Sequence, residues 1–180
     1  MIAGLAGRRI DAADAEPLRF PAAREQVVAH RIAAILKERD VTTLVCAAAC
    51  GSDLLALDAA QREGIATCIV LPYEPAAFRR SSVVDRGASW GAAFDRAIGD
   101  AGARGALRIL RIDTRDEHVY EKTNDGILDE ALALAGNDPA GVVALAVWDG
   151  AIAGRTDYTA DFTAAARERR IAVQSIPILQ

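Results

Sequence analysis

Short runs of consecutive apolar residues alternate along this chain with longer stretches in which apolar positions recur at three- and four-residue spacing. The runs are MIAGLA at the start, then TTLVCA, IATCIVL, ALRILRI and GVVALAVW, and IAVQSIPIL at the end. They are apolar on successive positions rather than on every second one. Strands covered on both faces, as in a parallel sheet between helices, carry that pattern. The intervening stretches predict helices over about 22–38, from Gly51 or Ser52 to Gly64, and over about 90–98, 117–135 and 157–169. Val28, Ile32, Ile35 and Leu36 fall on one face of the first, leaving His30 exposed. Ile127, Leu128, Ala131, Leu132 and Leu134 mark the apolar side of the fourth. Gly64 is a natural helix stop, and Pro72 ends the third strand. Residues 7–21, with Pro17 and Pro21, and residues 73–89 read as polar connections.

This alternation predicts the α/β class: a single three-layer Rossmann-like domain over residues 1–180. Its mainly parallel sheet has about six strands, with helices on both faces. A length of 180 residues suits one packed domain and is short for two. In such sheets ligands bind beyond the carboxyl ends of the strands, near the point where strand order reverses. The loops GRRID, AACGSD, YEPAAFRRSS, DTRDEHVY and DGAIAGRTDYT therefore hold the candidate site.

Small side chains at Ala48, Ala49, Cys50 and Gly51 permit a ligand close to the backbone. A helix starting at Ser52 would aim free N–H groups at a phosphate or carboxylate. Asp53 opposes a phosphate directly above it and suits ribose hydroxyls or a helix cap instead. Gly7 and Arg8, with Arg9 beside them, follow the first strand. Arg79 and Arg80, with Ser82, follow the third, and arginine matches phosphate oxygens bidentately. Asp149, Gly150, Thr156, Asp157 and Thr159 surround a second helix start. Tyr120 and Asn124, four apart, share one helix face. Trp148 reads as core, or as a wall of the same pocket. The shared-crevice expectation faces Arg79, Arg80 and the 149–159 loop toward the Gly51 turn.

Composition narrows the partners. Hydrophobic residues make up 52% and charged ones 26%, and the formal net charge is −4. A protein of that charge lacks a global grip on DNA or RNA, so no nucleic-acid partner is expected. No apolar run is long enough to span a bilayer, so no membrane is expected either. Cys46, Cys50 and Cys68 are an odd set in apolar surroundings, which argues for reduced, buried thiols and a cytoplasmic setting. With His30 and His118 as the sole histidines, no metal site is expected. The dinucleotide glycine fingerprint is absent, so no dehydrogenase cofactor is expected.

Taken together, GRRID, RFP, AAACGSDLLALDAAQREGI, IVLPYEPAAFRRSSV, VYEKTNDGIL, LAVWDG and TDYTADFTAAARERRIAV resemble the SLOG superfamily. That is the Rossmann-like ligand-binding group that includes DNA-processing protein A and the Lonely Guy phosphoribohydrolases. The resemblance spans about residues 3–176 and is nearest to a branch that precedes signalling modules, here as a stand-alone version. It implies recognition of a nucleotide or nucleotide-derived ligand. It matches Gly51, Ser52 and Asp53 to the family's glycine-rich turn and acid, and Thr159 to the threonine of its second glycine-rich loop. The second loop departs from the enzymes' P-G-G-x-G-T-x-x-E. Tyr158 stands for the last glycine and Phe162 for the catalytic glutamate.

Three functions follow as expectations. The first is a binding or sensor domain for a nucleotide-like small molecule, without a cofactor. The second is an enzyme cleaving or transferring at an N-glycosidic bond, with Asp53, Asp157 or Asp161 as the carboxylate near the anomeric carbon; Asp149 is a further candidate. The third is a ligand-free interaction scaffold. Exposed apolar helix faces and the resemblance leave room for a homodimer.

Overall fold

A computed structural model describes residues 1–150 and 157–179. Six strands form one sheet: β1 (Ile2–Gly7), β2 (Thr43–Cys46), β3 (Ala66–Leu71), β4 (Leu107–Ile109), β5 (Val142–Val147) and β6 (Ala172–Ile176). Their order is β4-β3-β2-β1-β5-β6, and every pairing is parallel. The helices are α1 (Glu25–Glu38), α2 (Ser52–Arg62), α3 (Pro75–Ser82), α4 (Ser89–Ala103), α5 (Val119–Leu134) and α6 (Tyr158–Glu168). The fold is therefore α/β and Rossmann-like, with helices on both sides of the sheet. From β1 to β4 the chain steps outward in one direction. It then crosses back over the sheet and continues through β5 to β6 on the other side of β1. Strand order thus reverses between β1 and β5.

Burial follows the sequence pattern. All six residues of β5 are buried, as are the inner four of β1. α1 buries Val28, Ile32 and Leu36, with His30 exposed. The edge strand β4 is shorter than the run ALRILRI suggested. It pairs only over Leu107–Ile109, and Arg111 then turns into the left-handed region at φ 58°. β6 likewise stops at Ile176, ahead of Pro177.

Three sequence expectations need correction. The polar connection after β3 contains a helix, α3, which begins with Pro75, where a missing N–H costs nothing. Only Phe78 and Ser82 of that helix are buried, too few to show a period. α4 runs on to Ala103, past its expected end near Ile98. Trp148 is half-buried rather than core: the Arg8 guanidinium lies 6.0 Å from its ring centre, and its indole N–H donates to Ser175 Oγ (3.2 Å).

Candidate functional site

The carboxyl end of β1 and the turn after β2 are tied together. Gly7 leaves no room for a side chain, because a Cβ there would lie 2.7 Å from the side chains of Ser52 and Val147. Gly51 adopts φ +96°, and a Cβ on it would lie 2.6 Å from the backbone nitrogen of Ile10. Arg9 and Gly51 form an isolated antiparallel bridge. The Ile10 N–H donates to the Cys50 carbonyl (3.3 Å), and the Cys50 N–H donates to the Ser82 carbonyl (3.0 Å). Both the N–H (3.2 Å) and the hydroxyl (2.8 Å) of Ser52 donate to the Arg8 carbonyl. The Ser52 N–H at the start of α2 is thus taken by the chain's own oxygen. Gly51 and Ser52 staple the two loops together.

Beside this staple lies a cavity of about 210 Å³. Gly7 and Arg9 come from the β1 end, Ala47, Ala49 and Asp53 from the β2–α2 turn, and Phe78 and Ser82 from α3. Tyr120, Thr123, Asn124 and Ile127 come from α5, and Tyr158 and Thr159 from the start of α6. The Tyr120 and Tyr158 rings meet at 5.0 Å between centres, tilted by 55°. Asn124 is buried and donates through Nδ2 to the Tyr158 carbonyl (2.7 Å), joining α5 to α6.

Asp53 is 7% exposed and lines the cavity. Its Oδ2 accepts the Ala49 N–H (3.1 Å). Burial raises its pKa from 3.8 to about 7, against the weaker pull of the Ala49 N–H and the Arg9 charge. The Arg9 guanidinium donates to Asp85 and to Cys50 Sγ (3.5 Å), while its buried Nε has no hydrogen-bond partner among the described residues. Burial pushes the Cys50 thiol up despite that arginine. All three cysteines are free and buried.

The other charged candidates are engaged elsewhere. Arg8 binds Asp157 through two bonds (3.1 and 2.7 Å) and reaches Asp149 at 3.5 Å. Arg19 completes the cluster on Asp149 (2.8 and 3.1 Å). Asp157 also caps α6, its Oδ1 accepting the N–H groups of Thr159 and Ala160 (both 3.2 Å). These charges pair across the β1–β5 reversal. The expectation of a crevice shared with the arginines of α3 is corrected as well. Arg79 turns to Asp95 on α4 (2.8 and 3.0 Å), and Arg80 is exposed and outside the cavity. Asp161 is exposed on α6, and Gly150 is exposed at φ +76°. Thr156 lies outside the described residues.

Gly7, Asp53, Ser82, Tyr120, Asn124 and Thr159 are thus brought to one cavity, whereas Arg8, Cys50, Gly51, Ser52, Arg79, Arg80, Asp149, Gly150, Asp157 and Asp161 are not among the residues lining it. Sequence reasoning missed Phe78, Thr123, Ile127 and Tyr158 as lining residues. The available signal lay on α5: Tyr120, Thr123 and Asn124 continue the stripe of Ile127, Leu128 and Ala131 toward the helix start with groups that carry hydrogen-bonding atoms.

Strand order and helix placement define a Rossmann-like α/β domain. Among solved structures, the chain is similar to DNA processing protein A from Streptococcus pneumoniae. The TM-score is 0.55 with 15% identity, over 98% of this chain and 50% of that one. The likeness is one of fold, and the chain spans about half the length of that protein. No protein-family profile matches the chain, and no curated protein matches it. Among the described residues, no helix is long and apolar enough to cross a membrane, and no group of three or more His, Cys, Asp or Glu side chains gathers as a metal site.

Proposed function

We propose that the protein is a ligand-binding domain of the SLOG type, taking a nucleotide-derived small molecule in the cavity beside the Gly51 turn. The observation that carries this reading is the pairing of an aromatic wall with a buried acid. Tyr120 and Tyr158 offer a surface for a base, and Asp53 offers an acceptor suited to ribose hydroxyls. The volume supports a small ligand: about 210 Å³ is below the ~300–1,000 Å³ of pockets for drug-sized molecules. Exclusion of nucleic acid rests on net charge alone, and a fold shared with a DNA processing protein adds nothing to it. Thermal-shift and calorimetric screening against nucleosides, nucleoside monophosphates and ADP-ribose tests the reading. A ligand selective for the native state raises the melting temperature, and Tyr120→Ala should remove the shift. Absence of any shift at millimolar concentration would sink the proposal.

One observation favours enzymatic use of the same cavity: a carboxyl with a pKa raised to about 7 is suited to moving a proton at neutral pH. Hydrolysis of an N-glycosidic bond would then rest on Asp53. Asp157 is held by Arg8 and by the start of α6, and Asp161 stands outside the cavity. Release of free base from a nucleoside or its monophosphate, abolished in Asp53→Asn, is the measurement that decides for catalysis.

A further inference from the structure

We infer that the cleft between α2 and α4 is a second ligand site, and that it takes a free amino acid with an apolar side chain. This site stands apart from the nucleotide-derived ligand proposed above, because the two cavities share no lining residue.

The cleft has a volume of about 330 Å³, within the ~300–1,000 Å³ of small-molecule pockets. Facing stripes of two helices form its walls. α2 presents Leu54, Leu57, Asp58 and Gln61, and α4 presents Ala93, Ala97, Asp100 and Arg104. Both sets recur at three- and four-residue spacing, so each lies along one helix face. Packed helices close such a seam with interdigitating side chains. Here α4 offers Ala93 and Ala97 as its apolar partners to the buried Leu54 and Leu57, and these are too small to fill the space. Ile65 and Thr67, around the start of β3, form the floor. The cleft therefore lies toward the amino ends of the strands, at the opposite end of the sheet from the loop that follows β5.

The rim carries charges of both signs. Asp58 is committed to Arg62 (2.6 Å). Arg96, Asp100 and Arg104 stand on successive turns of α4, about 6 Å apart along its axis. None of these three makes an ion pair among the described residues. Arg104 donates through Nη2 to Thr67 Oγ1 (3.0 Å), which draws its guanidinium to the floor. A carboxylate thus has an arginine one turn to either side of a free aspartate. An α-amino acid carries a carboxylate, an ammonium and a side chain on one carbon. Its carboxylate suits Arg104, its ammonium suits Asp100, and an aliphatic side chain suits Leu54, Leu57 and Ile65. A simple carboxylic acid would bring its charge beside Asp100 with no cation of its own to answer it. A simple amine would leave the arginine without an acceptor.

Isothermal titration of the full chain with leucine, leucinamide, N-acetylleucine and glycine tests the inference. Leucine should bind. Leucinamide lacks the carboxylate and N-acetylleucine lacks the ammonium, so each should bind about 5-fold more weakly, the upper scale of an ion pair at an exposed rim. Glycine leaves the floor uncovered and should bind about 10-fold or more weakly. No binding of leucine at millimolar concentration would overturn the inference and leave the nucleotide-ligand proposal standing. Leucinamide or N-acetylleucine binding as tightly as leucine would overturn the paired charges, and glycine binding as tightly would overturn the apolar floor. Ala97→Phe fills the cleft and should abolish leucine binding, with the melting temperature checking that the variant folds. Asp100→Asn and Arg104→Gln change exposed side chains, and each should weaken leucine about 5-fold. Leucine affinity unchanged in all three variants would refute the site. A dimer in sedimentation that Ala97→Phe breaks, without leucine binding, would give the cleft to a second copy of the chain and overturn the inference.

Discussion

Replacing Asp53 with Asn measures how strongly the fold holds a proton at the edge of its cavity. The side chain is 7% exposed, and burial pushes its pKa from 3.8 to about 7. Between those values the folded protein keeps a proton that the unfolded chain releases. The group's stabilising effect is therefore fully present below pH 3.8 and is lost as the pH rises through about 7. A gap of about 3 pK units at about 1.4 kcal/mol each makes the whole loss about 4 kcal/mol. About 1.5 kcal/mol of it is already gone at pH 5, because the unfolded carboxyl ionises first, so about 2.5 kcal/mol disappears between pH 5 and pH 8. Asn has the same shape, accepts the Ala49 N–H through Oδ1, and does not titrate. Urea unfolding of both proteins at pH 5 and pH 8 isolates the effect, since other titrating groups are common to the two chains and cancel in the difference. The variant should gain about 2.5 kcal/mol on the wild type from pH 5 to pH 8. A difference constant to within about 0.5 kcal/mol would refute the buried, proton-holding carboxyl.

The remaining predictions concern the frame around the cavity. Arg8→Ala leaves Asp157, whose side chain is 2% exposed, without its two-bond partner, and should cost about 3 kcal/mol in urea unfolding. Gly7→Ala drives a methyl to 2.7 Å from Ser52 and Val147, so a loss of about 1–3 kcal/mol is expected from the same measurement. Arg79→Ala removes an exposed pair with Asp95, so melting temperature and nucleoside affinity should both stay at wild-type values. A fall in affinity would return Arg79 to the site.

The sheet was legible because its strands are buried on both faces. VVALAV of β5 is apolar at every position and buried at every position. Where burial is one-sided, legibility failed. β4 lies at the sheet edge with Leu107 and Ile109 half-buried and Arg108 exposed, so its length was overread. In α3, Phe78 and Ser82 are the buried residues of an otherwise polar segment. Strand order is set by contacts distant in sequence and left no local mark. In the site, Asp53 stood out because an acid among small apolar residues is unusual. The arginines misled for a physical reason: nothing local tells Arg8 or Arg79 that Asp157, distant in sequence, or Asp95 on another helix will claim it. Tyr158 was noted for the glycine it replaces, but its ring is also half of the aromatic wall.

The staple through Arg8, Gly51, Ser52 and Ser82 bears on kinetics. Bonds between two loops and the end of α3 hold one side of the cavity in the absence of ligand. A wall fixed during folding needs no further ordering on contact, so entry of the proposed ligand would carry no conformational delay on that side. Related ligands should then arrive at similar rates and differ in residence time. The staple at Gly51 would then govern how soon the ligand is met and leave its departure to the tyrosines across the cavity.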